Sequence, residues 1–247
     1  MTESMTQSDA RVRRSVVESI GKFYKPATLE ILKQVVENES NTAIVATAVR
    51  GLGKYPADDV QNTLILALDR PSFENKIAMA AIGALGASGD VSLRGKVLAV
   101  LQRDRQKFGD RDYGRALQVL AKLWKEADDK QPVRDMLEDA LQDPSRKARQ
   151  GAIEALGELG DRTAVAALRS YADREGEGRN ATAAAAAIKK LEDDAPFVPR
   201  EVQELRKQLG DLTKQQAKLQ KELDTLKSKL EARPEESSAD VSTTPGL

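Results

Sequence analysis

KARQGAIEALGE, residues 147–158, decides the fold. Ala152, Ile153 and Leu156 lie at offsets of one, three and four, which puts them on one side of a helix. Small residues between them let a second helix approach closely. The pattern occurs five more times, as RVRRSVVESIGK (11–22), AIVATAVRGLGK (43–54), KIAMAAIGALGA (76–87), GRALQVLAKLWK (114–125) and TAAAAAIKKLED (182–193). The last apolar anchors, Ile20, Leu52, Leu85, Leu123, Leu156 and Leu191, are separated by 32, 33, 38, 33 and 35 residues. Three residues before each anchor sits Val17, Val49, Ile82, Leu120, Ile153 or Ile188.

Outward from each anchor the chain carries punctuation. Gly21, Gly53, Gly86 and Gly157 follow their anchors, where a glycine in the left-handed region is expected to stop a helix. A second helix is then expected to start near Pro26, Pro56, Asp90, Pro132 and Asp161, residue types suited to helix N-termini. These helices carry their own stripes, such as Leu29, Leu32 and Val36, or Val133, Leu137 and Leu141. The unit is therefore a helical hairpin of about 33 residues, used five times and followed by one Ala-rich helix. A single hairpin cannot bury both faces, so neighbours must stack. The sequence predicts an all-α, right-handed α-solenoid of five hairpins with a capping helix.

Two segments, DARVRRSVVESIGK (9–22) and DPSRKARQGAIEALGELGD (143–161), resemble HEAT repeats. The resemblance extends over about residues 9–192. It assigns Asp9 and Asp143 to the turn before the helix and makes Arg13 and Arg149 the repeat arginines. Val45, Ala78 and Ala116 fill that position in the middle repeats, so an arginine ladder is interrupted. A narrower resemblance is to the C-terminal HEAT region of aminopeptidase N-like (gluzincin) zinc peptidases. It rests on the order of irregularities: LGKYPADDV (52–60), ALDRPSF (67–73), a long loop before repeat four, and the Ala-rich helix ending in KKLED. That resemblance implies the non-catalytic part of such an enzyme, and no catalytic residue carries over.

Composition points the same way. The chain of 247 residues has no histidine and no cysteine, with 39 Lys+Arg against 39 Asp+Glu. Ser-His-Asp and Cys-His systems, HExxH metallopeptidases and Cys-type zinc sites have no residues to use. We therefore expect no enzyme activity, no cofactor and no metal site. No apolar run is long enough to span a bilayer, and the polar start MTESMTQSDARVRR has no signal-peptide core, so a cytoplasmic protein is expected.

Beyond Pro196 and Pro199 a heptad pattern begins. Val202, Leu209, Gln216, Leu223 and Leu230 occupy a positions, and Leu205, Leu212, Leu219 and Leu226 occupy d positions. Unbroken 3-4 alternation over four heptads predicts a coiled coil. In a parallel homodimer Glu201 meets Arg206 and Glu222 meets Lys227, while an antiparallel pair brings Arg206 towards Lys227. The expected organisation is a disordered start (1–8), a solenoid (9–193), a Pro-containing linker (194–199), a coiled-coil helix (200–232) and a disordered tail (233–247).

Two surfaces stand out as candidate contacts. Nothing upstream covers the apolar groups of repeat one, so Val12, Val16, Leu29 and Leu32 are expected to form an exposed end face. Either another chain or a preceding domain covers it, or the exposure is tolerated. The 38-residue step between repeats three and four places an insertion at Arg103–Asp112, where Arg105, Lys107 and Phe108 form a candidate contact loop with Phe108 exposed. Trp124 replaces a repeat glycine and is expected to pack. The first reading of function is a non-catalytic scaffold for protein partners that dimerises through the coil. The second makes a peptidase catalytic domain the partner. The third, a nucleic-acid-binding HEAT module, wants a continuous basic stripe. Against it, residues 1–196 hold 30 basic and 30 acidic side chains.

Overall fold

The computed structural model describes residues 7–193 and, between 208 and 223, residues 208, 209, 212, 213, 215, 216, 218–220, 222 and 223. The chain divides into two compact units, Met1–Ala195 and Pro196–Leu247.

In the first unit the described residues form five helical hairpins and a final helix. The first helices of the hairpins are α1 (Ala10–Ile20), α3 (Thr42–Leu52), α5 (Lys76–Ser88), α7 (Asp110–Trp124) and α9 (Arg146–Leu159). The second helices are α2 (Pro26–Asn38), α4 (Ala57–Asp69), α6 (Arg94–Asp104), α8 (Gln131–Ala140) and α10 (Val165–Glu175), and α11 (Arg179–Asp193) closes the series. Odd-numbered helices pack on one another in order, and even-numbered helices lie over them as a second layer. This is an α-solenoid of stacked helical hairpins. Its core is continuous from Val17 to Leu191, with Leu52, Leu85, Leu120 and Leu156 fully buried.

The expected glycine stops are corrected. Gly21 and Gly53 have right-handed φ of −62°, and Gly86 and Gly157 lie inside α5 and α9. Helices α5 and α9 end three residues later, at Gly89 (φ 72°) and Gly160 (φ 70°), where the left-handed cap forms. The repeat glycines serve approach instead. A Cβ on Gly53 would stand 2.9 Å from the Ala84 backbone, and one on Gly86 would stand 2.7 Å from Val119. The closest crossing is α7 on α9, where a Cβ on Gly151 would lie 2.3 Å from Gly114 Cα. The odd layer is therefore drawn together along the solenoid while the even helices meet more sparingly, which makes the odd layer the inner one.

The second helices also start differently from expectation in two repeats. Pro26 opens α2 and Pro132 lies in the first turn of α8, but α6 and α10 begin about four residues after Asp90 and Asp161. Those carboxylates cap preceding turns, accepting from the Ser92 amide at 2.8 Å and the Thr163 amide at 3.0 Å.

The repeat arginines tie the first and fifth hairpins together, Arg13 reaching Glu39 at the end of α2 and Arg149 reaching Tyr171 on α10. Arg13 donates to Glu39 at 3.0 Å and to the Gln7 and Ser8 carbonyls, and Arg149 donates to the Asp143 and Pro144 carbonyls. In the middle repeats, where the sequence lacks that arginine, residues between helices take over. Arg70 donates to the carbonyls of Val36 and Glu39, and Arg105 grips Asp143 through two bonds of 2.5 and 2.8 Å.

Candidate functional site

The exposed side of the inner layer carries a hollow of about 760 Å³ across α1, α3, α5 and α7. Its floor is made of small or flexible apolar side chains: Ala43, Ala46, Met79, Ala80, Ala84 and Ala87, with Gly83 among them. The repeat pattern that lets odd helices approach also leaves their solvent side shallow. A Cβ on Gly83 would meet nothing within 4 Å, so the hollow is open at its centre.

Charge on the lining is one-sided. Arg14, Arg50, Lys76 and Arg115 stand against a single carboxylate, Asp112. Asp112 is already engaged, 2.7 Å from Lys76 Nζ and 3.8 Å from Arg115. The bonds from Asp112 and Glu74 raise the Lys76 pKa. Arg14 closes no ion pair among the described residues, and Arg50 donates only to Thr47 Oγ1 at 3.1 Å. Desolvation first, and then the neighbouring Arg14 charge, lower the Arg50 pKa, with Glu18 opposing weakly. The hollow is thus locally positive in a chain of zero net charge.

Phe73 stands at the rim, 79% exposed. It opens a short 3-10 turn, Phe73–Asn75, whose last two residues have left-handed backbones: Glu74 with φ 48° and Asn75 with φ 49°. Asparagine tolerates this region, whereas glutamate pays roughly 1–2 kcal/mol for it. The turn persists because its surroundings over-determine it. Asn75 is buried and its amide donates to Ser72 O at 3.0 Å. The Ile77 amide donates to Ser72 Oγ at 3.1 Å, and Lys76 pairs with Glu74 at 2.9 Å. A strained, pinned turn therefore presents a phenyl ring to solvent beside an apolar floor. Sequence reasoning marked 67–73 as irregular but did not single out Phe73. The available signal was an aromatic after Arg70-Pro71-Ser72, in a turn with no helix face to bury it.

The predicted end face is smaller than expected. Val12 is 44% exposed and Val16 is half-buried, but Leu29 is buried and Leu32 is fully enclosed. The reason is that α2 turns its stripe inward, and Leu32 fills the space above Gly51 on α3.

In the insertion, Phe108 is 4% exposed, which corrects its reading as an exposed aromatic. It lies 6.2 Å from the Tyr113 ring and joins the core. Arg105 stacks over Tyr113 at 4.3 Å and binds Asp143 and Asp110, so the segment is a clasp between repeats. Its bonds to Asp143 raise the Arg105 pKa, and burial pushes the Tyr113 hydroxyl up to about 12. Burial also acts to raise Asp143, but the Arg105 and Ser145 bonds outweigh it and the net shift is downward. Lys107, mostly exposed, pairs with buried Asp104 at 2.8 Å. Trp124 is partly buried against the core, with Arg94 4.8 Å above its ring.

Among described residues of the second unit, all are helical, and Leu209, Leu212, Leu219 and Leu223 are exposed. Gln216 is helical and exposed as well. Val202, Leu205, Leu226 and Leu230 lie outside the described residues, as do the linker and tail.

Comparison with known proteins bears on this geometry. The family model for HEAT repeats matches residues 111–189 and, in a second placement, 133–219. The first placement spans the helices from α7 to α11. No curated protein matches the chain. Among solved structures, a chain from the complex of CpcE and CpcF of phycocyanin lyase from Nostoc sp. PCC7120 is similar at 16% identity, with a TM-score of 0.40, over 76% of this chain and 92% of that one. These matches give no support to the aminopeptidase-type resemblance. Among the described residues no helix is long and apolar enough to cross a membrane, and no group of three or more His, Cys, Asp or Glu side chains is placed to hold a metal ion.

Proposed function

We propose that the chain is a non-catalytic scaffold whose inner helix layer holds a segment of another protein, and whose C-terminal helix pairs two copies in parallel. The observation that carries the first part is the open hollow across four successive inner helices, with an exposed aromatic at its rim. Its apolar floor suits side chains of a peptide or helix, which gain by burial. The second part rests on the heptad pattern and on the exposure of Leu209, Leu212, Leu219 and Leu223 in a single copy. The resemblance to peptidase C-terminal regions supplies no part of this reading.

The test is a displayed library of short random peptides panned on the full chain. Selected peptides are then measured against the Gly83→Tyr variant, which fills the hollow at a position with free space. Binding lost in the variant supports the reading. Selected peptides that bind both proteins equally sink it.

A further inference from the structure

We infer that the segment held in the hollow is rich in carboxylates along one side and apolar along the other. Its apolar residues pack between Phe73 and the alanine floor, and its carboxylates pair with Arg14 and Arg50. This deepens the scaffold reading and rests on it.

Three independent observations converge on this chemistry. The first is charge: four cations and one carboxylate line the hollow, and that carboxylate is shared between Lys76 and Arg115. Other arginines of the solenoid sit opposite carboxylates, as Arg13 with Glu39, Arg105 with Asp143 and Arg134 with Asp161 show. Arg14 and Arg50 line the same hollow on adjacent helices, close enough for one charge to act on the other, and neither closes an ion pair among the described residues. Two guanidinium groups beside one another repel until an anion stands between them. A partner carboxylate relieves that repulsion and is also offered a forked donor geometry.

The second observation is the Phe73 turn. Consecutive left-handed residues at Glu74 and Asn75 hold the ring out at 79% exposure instead of letting it fold onto the core. Strain kept in place by several bonds, with an exposed aromatic as its result, is the arrangement expected of a binding anchor. The third is the floor itself. Alanines, Gly83 and Met79 offer contact area and adaptability but no hydrogen-bond donors of their own. That favours apolar side chains over nucleic-acid bases, which want several stacking rings or edge-reading polar groups.

The probe is the set of peptides selected on the full chain, taken together with a single-stranded RNA of mixed sequence. Fluorescence anisotropy at low and high salt gives the affinity of each for the wild type, Arg14→Glu/Arg50→Glu, Arg14→Gln/Arg50→Gln and Phe73→Ala. Thermal melting of each variant confirms that the helices are intact. Peptides that depend on Gly83 are expected to be enriched in Asp and Glu. They should weaken about ten-fold or more in the double Glu variant, less in the double Gln variant, and at least about five-fold in Phe73→Ala. Their binding should fall as salt rises.

Gly83-dependent peptides without acidic enrichment, or with unchanged affinity for the double Glu variant, overturn this inference and leave the scaffold reading standing. Tighter binding of RNA than of any selected peptide also overturns it. Absence of any Gly83-dependent peptide overturns both.

Discussion

Replacing Gly151 by alanine should destabilise the solenoid, whereas the same change at Gly83 should stabilise it. Both are interior helix positions, so helix propensity alone favours alanine at each by about 1 kcal/mol. The surroundings differ. At Gly151 the new Cβ would lie 2.3 Å from Gly114 Cα, 2.6 Å from Gly114 O and 2.7 Å from Gly114 C. Ordinary carbon contacts begin near roughly 3.5 Å, so α7 and α9 must separate by about 1 Å. No flexible side chain can yield, because the three nearest atoms all belong to the Gly114 backbone. Overpacking of this kind costs about 1–3 kcal/mol, and the absence of a yielding group puts it at the upper end. After the propensity gain the net loss is about 1–2 kcal/mol. At Gly83 nothing lies within 4 Å, and the net gain is about 0.5–1 kcal/mol. Urea unfolding followed by circular dichroism measures both. For a unit of this size the two variants should also differ by about 4–10 °C in Tm. A Gly151→Ala protein as stable as Gly83→Ala would refute the close backbone crossing of α7 and α9.

Arg105→Ala should cost about 2–3 kcal/mol in urea unfolding, because it leaves the nearly enclosed Asp143 carboxylate without its cation, whereas exposed Lys107→Ala should cost well under about 1 kcal/mol. Acid should weaken the fold through Asp104. Its bonds from Arg103 and then Lys107 outweigh burial and hold its pKa at about 2, below the ordinary aspartate value of 3.8. A depressed carboxylate stabilises above its unfolded pKa and loses that contribution as pH falls from near 3.8 through about 2, so wild type should lose more stability than Asp104→Asn across that window. Removing residues 197–247 should convert a dimer to a monomer in sedimentation equilibrium; identical masses for both chains would remove the coil from the account.

The hairpin count was legible because helix periodicity and the near-constant repeat period both follow from stacking one supersecondary unit. Anchors such as Leu52, Leu85 and Leu156 are buried as the pattern requires. The role of the glycines was not legible. A glycine just past an apolar stripe reads as a helix stop, and only the neighbouring helix shows that Gly86 and Gly157 are there for close approach. Phe108 was misplaced for a related reason. Its charged neighbours look solvated, but Arg105, Asp110 and Asp143 neutralise one another over Tyr113 and enclose it. The hollow depends on side chains from four helices spread over residues 14–115, so no local window displays it. Its basic excess is likewise invisible in a chain whose charges sum to zero.

The central claim is that the inner layer, and not the outer one, is the binding surface. The affinity of a peptide selected on the wild-type chain, measured against Gly83→Tyr and against Leu66→Tyr, tests it most directly. Gly83 lies in the hollow on α5, and Leu66 is exposed on α4 of the outer layer. Binding at the inner layer lowers affinity about ten-fold or more for Gly83→Tyr and leaves it unchanged for Leu66→Tyr. The reverse pattern, or equal affinity for both, would contradict it.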